Sequence, residues 1–199
     1  TCAVTTSGGA KCWGENAYGQ LGSGSTAAYG TVPVDVSGLT SGVDFVATHP
    51  SYACAALSAG GTMCWGNSIY GHLGNGVTTN GAQRTPVTVD NLTDRVKSLA
   101  LGFYRACGVT SAGGVQCWGY NYNIPYGGAF ELPTYWYSAT DYPGLTTGIA
   151  SVAASPGSTD PILCAVTTAG GVVCVGPDWN GTATGVFPGI PRPVSGFVP

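Results

Sequence analysis

Eight cysteines fall in four pairs, and each pair has nine residues between its members. The first pair lies in "CAVTTSGGAKCWG", Cys2 to Gly14. The others lie in "CAALSAGGTMCWG" (Cys54 to Gly66), "CGVTSAGGVQCWG" (Cys107 to Gly119) and "CAVTTAGGVVCVG" (Cys164 to Gly176). The first cysteines step by 52, 53 and 57 residues. A second marker recurs between the pairs, as "VSGL", "VDNL", "YPGL" and "VSGF". Its turn residues, Gly38, Asn91, Gly144 and Gly196, step by 53, 53 and 52. Repetition at this period means one supersecondary unit copied four times, which buries its apolar face only against its neighbours.

Each copy reads as antiparallel β. "CAVTT" and "AKCWG" are short runs rich in β-branched, aromatic and cysteine residues. The Gly-Gly between them supplies the positive φ that a short hairpin loop demands. "GVDFVAT", "DRVKSLAL" and "GIASVAA" add a strand before the pair in copies two to four. "VPVDV" and "TPVTV" add one after it, and their prolines suit an edge. No window of ten residues carries a helical period. The expectation is an all-β fold, a β-propeller or propeller arc of four antiparallel blades of about four strands each. It forms a single domain over residues 1–199, with repeats near 1–41, 42–93, 94–147 and 148–199.

Cysteines on the two arms of a tight hairpin can lie directly opposite across the ladder, near disulfide distance. Pairing within each copy is therefore expected: Cys2 with Cys12, Cys54 with Cys64, Cys107 with Cys117, Cys164 with Cys174. Pairing between copies is the alternative. Structural zinc sites place two to four residues between cysteines, so this spacing does not suit metal. Disulfides imply an oxidising compartment, hence a secreted or extracellular protein.

Only 8% of residues are charged, and the net charge is −3. Six scattered Lys and Arg make no basic stripe, which argues against nucleic acid. Apolar runs are interrupted within about ten residues, too short to cross a bilayer. A surface poor in charge is weakly guarded against association. It suits a protein that is glycosylated, packed into an assembly, or both.

"CWGENAYGQLGSG" (Cys12 to Gly24), "CWGNSIYGHLGNG" (Cys64 to Gly76), the Pro-Val segments and "GVDFVAT" together resemble repeats of the regulator of chromosome condensation type. The likeness is strong in the first two copies. In the third, "GQLG" becomes "IPYG" (Ile124 to Gly127); in the fourth, Val175 stands where the others have Trp. The resemblance implies a β-propeller, most familiarly of seven blades, whose loops meet a protein partner. Other members act in nucleotide exchange on a small GTPase, photoreceptor signalling and enzyme inhibition. The cysteine-bearing variety is similar to secreted members. No residue matches a motif that would carry exchange activity over. Copy one lacks the strand before its first cysteine, because Thr1 abuts Cys2. The expectation is that a longer polypeptide or another subunit supplies it.

Trp13, Trp65 and Trp118 follow the second cysteine of their copies and read as packing between blades. The third copy is enriched in aromatics between its second cysteine and its turn. Tyr120, Tyr122, Tyr126, Tyr135, Trp136 and Tyr137 are the candidate partner-binding residues. Mixtures of Tyr, Asn and Gly make adaptable contact surfaces. The partner is a protein or a further copy of the chain. A carbohydrate stacked on Tyr135, Trp136 and Tyr137 is the alternative. Asn91 and Asn180 head sequons and are glycosylation candidates. The only histidines are His49 and His72, and His72 replaces Gln20 of the first copy. There is no G-x-S-x-G elbow and no D-x-D-x-D run. No catalytic residue, metal or cofactor is expected, nor membrane insertion.

Overall fold

The computed structural model describes residues 1–78, 81–92, 94–120, 135–155, 157, 162–176, 191–194 and 196. These residues form four antiparallel sheets in chain order. The first holds β1 (Cys2–Val4), β2 (Ala10–Glu15) and β3 (Tyr29–Asp35). The second holds β4 (Val43–Thr48), β5 (Tyr52–Leu57), β6 (Thr62–Asn67) and β7 (Ala82–Thr88). The third holds β8 (Val96–Leu101), β9 (Arg105–Thr110), β10 (Val115–Tyr120) and β11 (Tyr135–Asp141). The fourth holds β12 (Ile149–Ala154), β13 (Leu163–Thr167), β14 (Val172–Val175) and β15 (Arg192–Pro193). Each sheet is one blade. The expected four strands are present in three of them, and the first has three.

In blades two to four the first strand lies innermost: β8 touches both β4 and β12, and β1 packs on β4. Strands that carry proline, β3 and β7, run outermost, where a missing N–H leaves no ladder bond unmade.

The cysteine pairs stand in direct register: Cys2 with Cys12, Cys54 with Cys64, Cys107 with Cys117, Cys164 with Cys174. Their Cα atoms are 4.0–4.1 Å apart, and all four pairs are disulfide-bonded. Pairing between copies does not occur. Each bridge closes a short loop in the unfolded chain. Replacing Cys107 and Cys117 by alanine is expected to lower the unfolding free energy by about 2–3 kcal/mol on loop-closure grounds. Urea denaturation of the double variant checks it; an unchanged midpoint contradicts the staple role.

Three core clusters of buried side chains span the blade boundaries. Trp65 and Trp118 are wholly buried. Trp65 Nε1 donates to the Gln20 carbonyl of the preceding blade at 3.0 Å, and Trp118 Nε1 donates to the His72 carbonyl at 3.0 Å. The indole thus clasps the "YGQLG" or "YGHLG" loop of the repeat before it. Gly74 makes room for this. Its φ is +69°, and a Cβ there would lie 2.7 Å from Trp118 Cδ1. The glycine after each Trp has a different duty. At Gly66 the ladder carries a bulge, φ is +111°, and a Cβ would lie 2.6 Å from Tyr52 Cα.

Candidate functional site

The connections β2–β3, β4–β5, β6–β7 and β8–β9 leave the sheets at one end, so side chains from successive repeats converge on one face. Tyr70, in the β6–β7 connection, is its hub. Its ring centroid lies 5.7 Å from Phe103, 5.0 Å from Tyr104 and 6.0 Å from Tyr120. Phe103 and Tyr104 form the β8–β9 connection. The chain of rings continues from Tyr120 to Tyr135 at 4.7 Å and from Tyr135 to Tyr137 at 5.3 Å. The last two are stacked 6° from parallel, with Tyr137 exposed. Solvent loss around the Tyr135 phenol raises its pKa, and Tyr120, Tyr137 and Tyr70 add to the shift.

At the other end the rings dive inward. Tyr70 meets His72 at 6.0 Å, and His72 lies tilted against Tyr52 at 4.2 Å. Tyr52 is fully buried and donates its hydroxyl to the Gly102 carbonyl at 2.8 Å, tying blade two to blade three. Burial holds the Tyr52 phenol far above its ordinary pKa. The buried His72 imidazole is lowered from 6.5 to about 4, chiefly by desolvation; the Asn67 backbone opposes the shift and His49 adds to it. Neither His72 ring nitrogen has a hydrogen-bond partner of good geometry among the described residues. His72 is therefore neutral at neutral pH.

A pocket of about 470 Å³ opens among these loops. Tyr18 reaches it from the first repeat, His49, Ser51, Asn67 and Tyr70 from the second, and Phe103 from the third.

Three of the candidate partner-binding residues join this face: Tyr120, Tyr135 and Tyr137. Trp136 does not. It points to the opposite side of β11, is 5% exposed, and meets Tyr142 edge to face at 5.9 Å. It shares a core cluster with Val175, so the ring fills the boundary between blades three and four. Trp136 is hence corrected from contact residue to core residue, and the carbohydrate reading that used it loses its central ring. Tyr122, Tyr126 and Asn180 lie outside the described residues. Asn91 adopts φ +63° at the β7–β8 turn, at the far end of the blade, and donates from Nδ2 to Ser138 Oγ at 3.2 Å. Among the described residues no three His, Cys, Asp or Glu side chains come together as metal ligands. Among the described residues no helix is long and apolar enough to cross a membrane.

Sequence reasoning passed over Tyr18, Tyr70, Phe103 and Tyr104. Tyr18 and Tyr70 recur in the "YG-Q/H-LG" element and read as repeat positions. Phe103 and Tyr104 stand where the second repeat has Pro50 and Ser51, a local gain of two rings.

Stapled antiparallel blades, clasped by tryptophan across their boundaries, define a β-propeller repeat protein. Models of the regulator of chromosome condensation (RCC1) repeat match residues 8–55 and 96–123 of this chain. It is 28% identical over 123 residues to the human E3 ubiquitin-protein ligase HERC2, a stretch covering 61% of this chain and 2% of that protein. The mouse HERC2 matches equally. Human WBSCR16 superposes with a TM-score of 0.77 at 22% identity, over 98% of this chain and 50% of that one. Yeast RCC1 (Prp20) bound to Kap60 gives 0.76 at 18% identity, over 97% and 46%. Prp20p from Saccharomyces cerevisiae, studied with its binding to Gsp1p and histones, gives 0.74 at 17% identity, over 97% and 48%. The chain spans about half the length of these structures.

Proposed function

We propose that this chain is an extracellular recognition module, a rigid propeller arc that presents its tyrosine-lined loop face to a protein. A second copy of the chain is one such partner, so the module serves as a subunit of a larger extracellular structure. It performs no chemistry of its own. The observation that carries this reading is the unbroken run of rings from Phe103 through Tyr70, Tyr104, Tyr120 and Tyr135 to Tyr137. Tyrosine offers a large contact area at low entropic cost, with a hydroxyl for specificity. Blades held by disulfides and indole clasps keep the loops in place before contact, which cuts the ordering cost of binding. Four disulfides support an oxidising compartment. Protein binding by the fold neighbours, Gsp1p and histones for Prp20p and Kap60 for yeast RCC1, supports a protein as the partner class. A glycan on Asn91 belongs to the same reading, since that turn faces away from the ring surface.

Photo-crosslinking tests it. A benzophenone amino acid replaces Tyr137 in one sample and Val32, exposed on the outer strand β3, in another. Both are placed in the culture medium of the source. One dominant adduct at position 137, absent at position 32, is expected, and a mass of two chains identifies self-assembly. The same adducts at both positions contradict the proposal.

A further inference from the structure

The pocket among the loops has a chemistry that protein docking along the tyrosine run does not use. Its walls are rings: Tyr70 and Phe103 at 5.7 Å, His49 and Phe103 edge to face at 6.1 Å, with Tyr18 also in the lining. Its polar edges are an amide, Asn67, and the His49–Ser51 pair, Nδ1 to Oγ at 3.2 Å. No Asp, Glu, Lys or Arg is among the described residues that line it. His72, which also lines the pocket, stays neutral at neutral pH.

This lining selects by exclusion. A charged ligand would give up its water with no opposite charge to receive it. A wholly apolar ligand would take water away from the Asn67 amide and from the imidazole and hydroxyl edges without replacing it. The remaining fit is an uncharged molecule with an apolar flat face and hydroxyls around its rim, which is the form of a pyranose ring. The volume lies within the range of small-ligand pockets.

We propose that this pocket binds a neutral saccharide. One sugar ring lays its C–H face on the aromatic walls of Tyr70, Phe103 and Tyr18, with hydroxyls toward Asn67 and the His49–Ser51 pair. The site shares Tyr70 and Phe103 with the protein-docking run but not Tyr135 or Tyr137, so the Tyr137 and Tyr18 variants separate the two readings.

Saturation-transfer NMR on the oxidised chain tests this with four probes: the methyl glycosides of glucose, mannose, galactose and N-acetylglucosamine. Adenosine is the planar control. At least one glycoside is expected to receive saturation on one face of its ring. Tyr18→Ala and Phe103→Ala are each expected to weaken it about tenfold, the effect of one lost ring contact. Tyr137→Ala is expected to leave it unchanged. Tyr18 is 46% exposed, so its replacement tests the site without disturbing the core. No transfer to any glycoside overturns the proposal, as does transfer that survives both replacements. Transfer to adenosine alone overturns it in favour of a base-binding slot.

Discussion

Trp118→Ala is expected to lower the unfolding free energy by about 3–5 kcal/mol, the cost of truncating a wholly buried aromatic. The indole sits in one core cluster with Tyr52, Leu73, Val89, Ala106 and Ala139, drawn from blades two and three. Its removal opens a cavity at that boundary and leaves the His72 carbonyl without the indole donor. Trp118→Phe separates the two losses. It keeps most of the ring volume and forfeits the hydrogen bond, so the expected cost falls to about 1–3 kcal/mol. Trp13, which is only half-buried, is the internal comparison, and Trp13→Ala is expected to cost less than Trp118→Ala. Urea unfolding of the three variants reads all of this. Equal losses for Trp13 and Trp118 would contradict the clasp.

Acidification is expected to remove about 3 kcal/mol between about pH 7 and pH 4 through His72 alone. Burial holds the folded-state pKa near 4 against 6.5 for a free imidazole. The unfolded chain therefore takes up a proton first as pH falls. The contribution is intact above about pH 6.5, declines as pH drops, and is gone near pH 4, below which the loss no longer grows. The groups facing the ring are Tyr52, Tyr70 and His49, and none supplies a negative charge in this range. His72→Gln tests the assignment with a residue the chain already uses. Gln20 occupies the same position in the first repeat and donates from Nε2 to the Pro50 carbonyl at 3.1 Å. The variant is expected to keep its stability at neutral pH and lose this part of the acid dependence. Acid curves of equal slope for the two proteins would contradict the assignment.

The hairpin was the most legible part of the chain, because everything that defines it is local. Nine residues between cysteines, with Gly-Gly at the bend, bring Cys54 opposite Cys64 with no help from the rest of the fold. Asn91 was legible for the same reason: three other repeats place glycine there, and the structure gives it φ +63°. The clasps were not legible, since each joins residues 45 or 46 positions apart in different repeats. Two departures from the pattern consequently looked unrelated. The third repeat lacks the "GQLG" loop, and the fourth has Val175 in place of Trp. By repeat position they are the two halves of one contact, and the sequence replaces both at one boundary. Trp136 and Tyr142 from blade three are buried there with Val175. That is why Trp136, flanked by two surface tyrosines, looked from sequence like a contact residue.

Arg105 shows the same limit. It takes the repeat position of Tyr52, is 4% exposed, and lies 5.6 Å over the Tyr142 ring. Its terminal nitrogens have no hydrogen-bond partner among the described residues. The ring face provides a favourable electrostatic contact for the guanidinium. A buried arginine in a β-strand carries no sequence signal apart from its misfit with the repeat.

Recognition by a pre-formed face requires loops that are rigid before anything binds them. Hydrogen exchange tests this most directly, at the amides of Gly74, Gly102 and Tyr120. Each is bonded within the loop face, to Gly71, Arg105 and Tyr104 carbonyls at 3.0, 2.9 and 2.8 Å. All three are expected to exchange only through global unfolding, with the same free energy as the core strand β9. Exchange at the loop amides orders of magnitude faster than at β9 would contradict this, and would describe a face that orders only on contact.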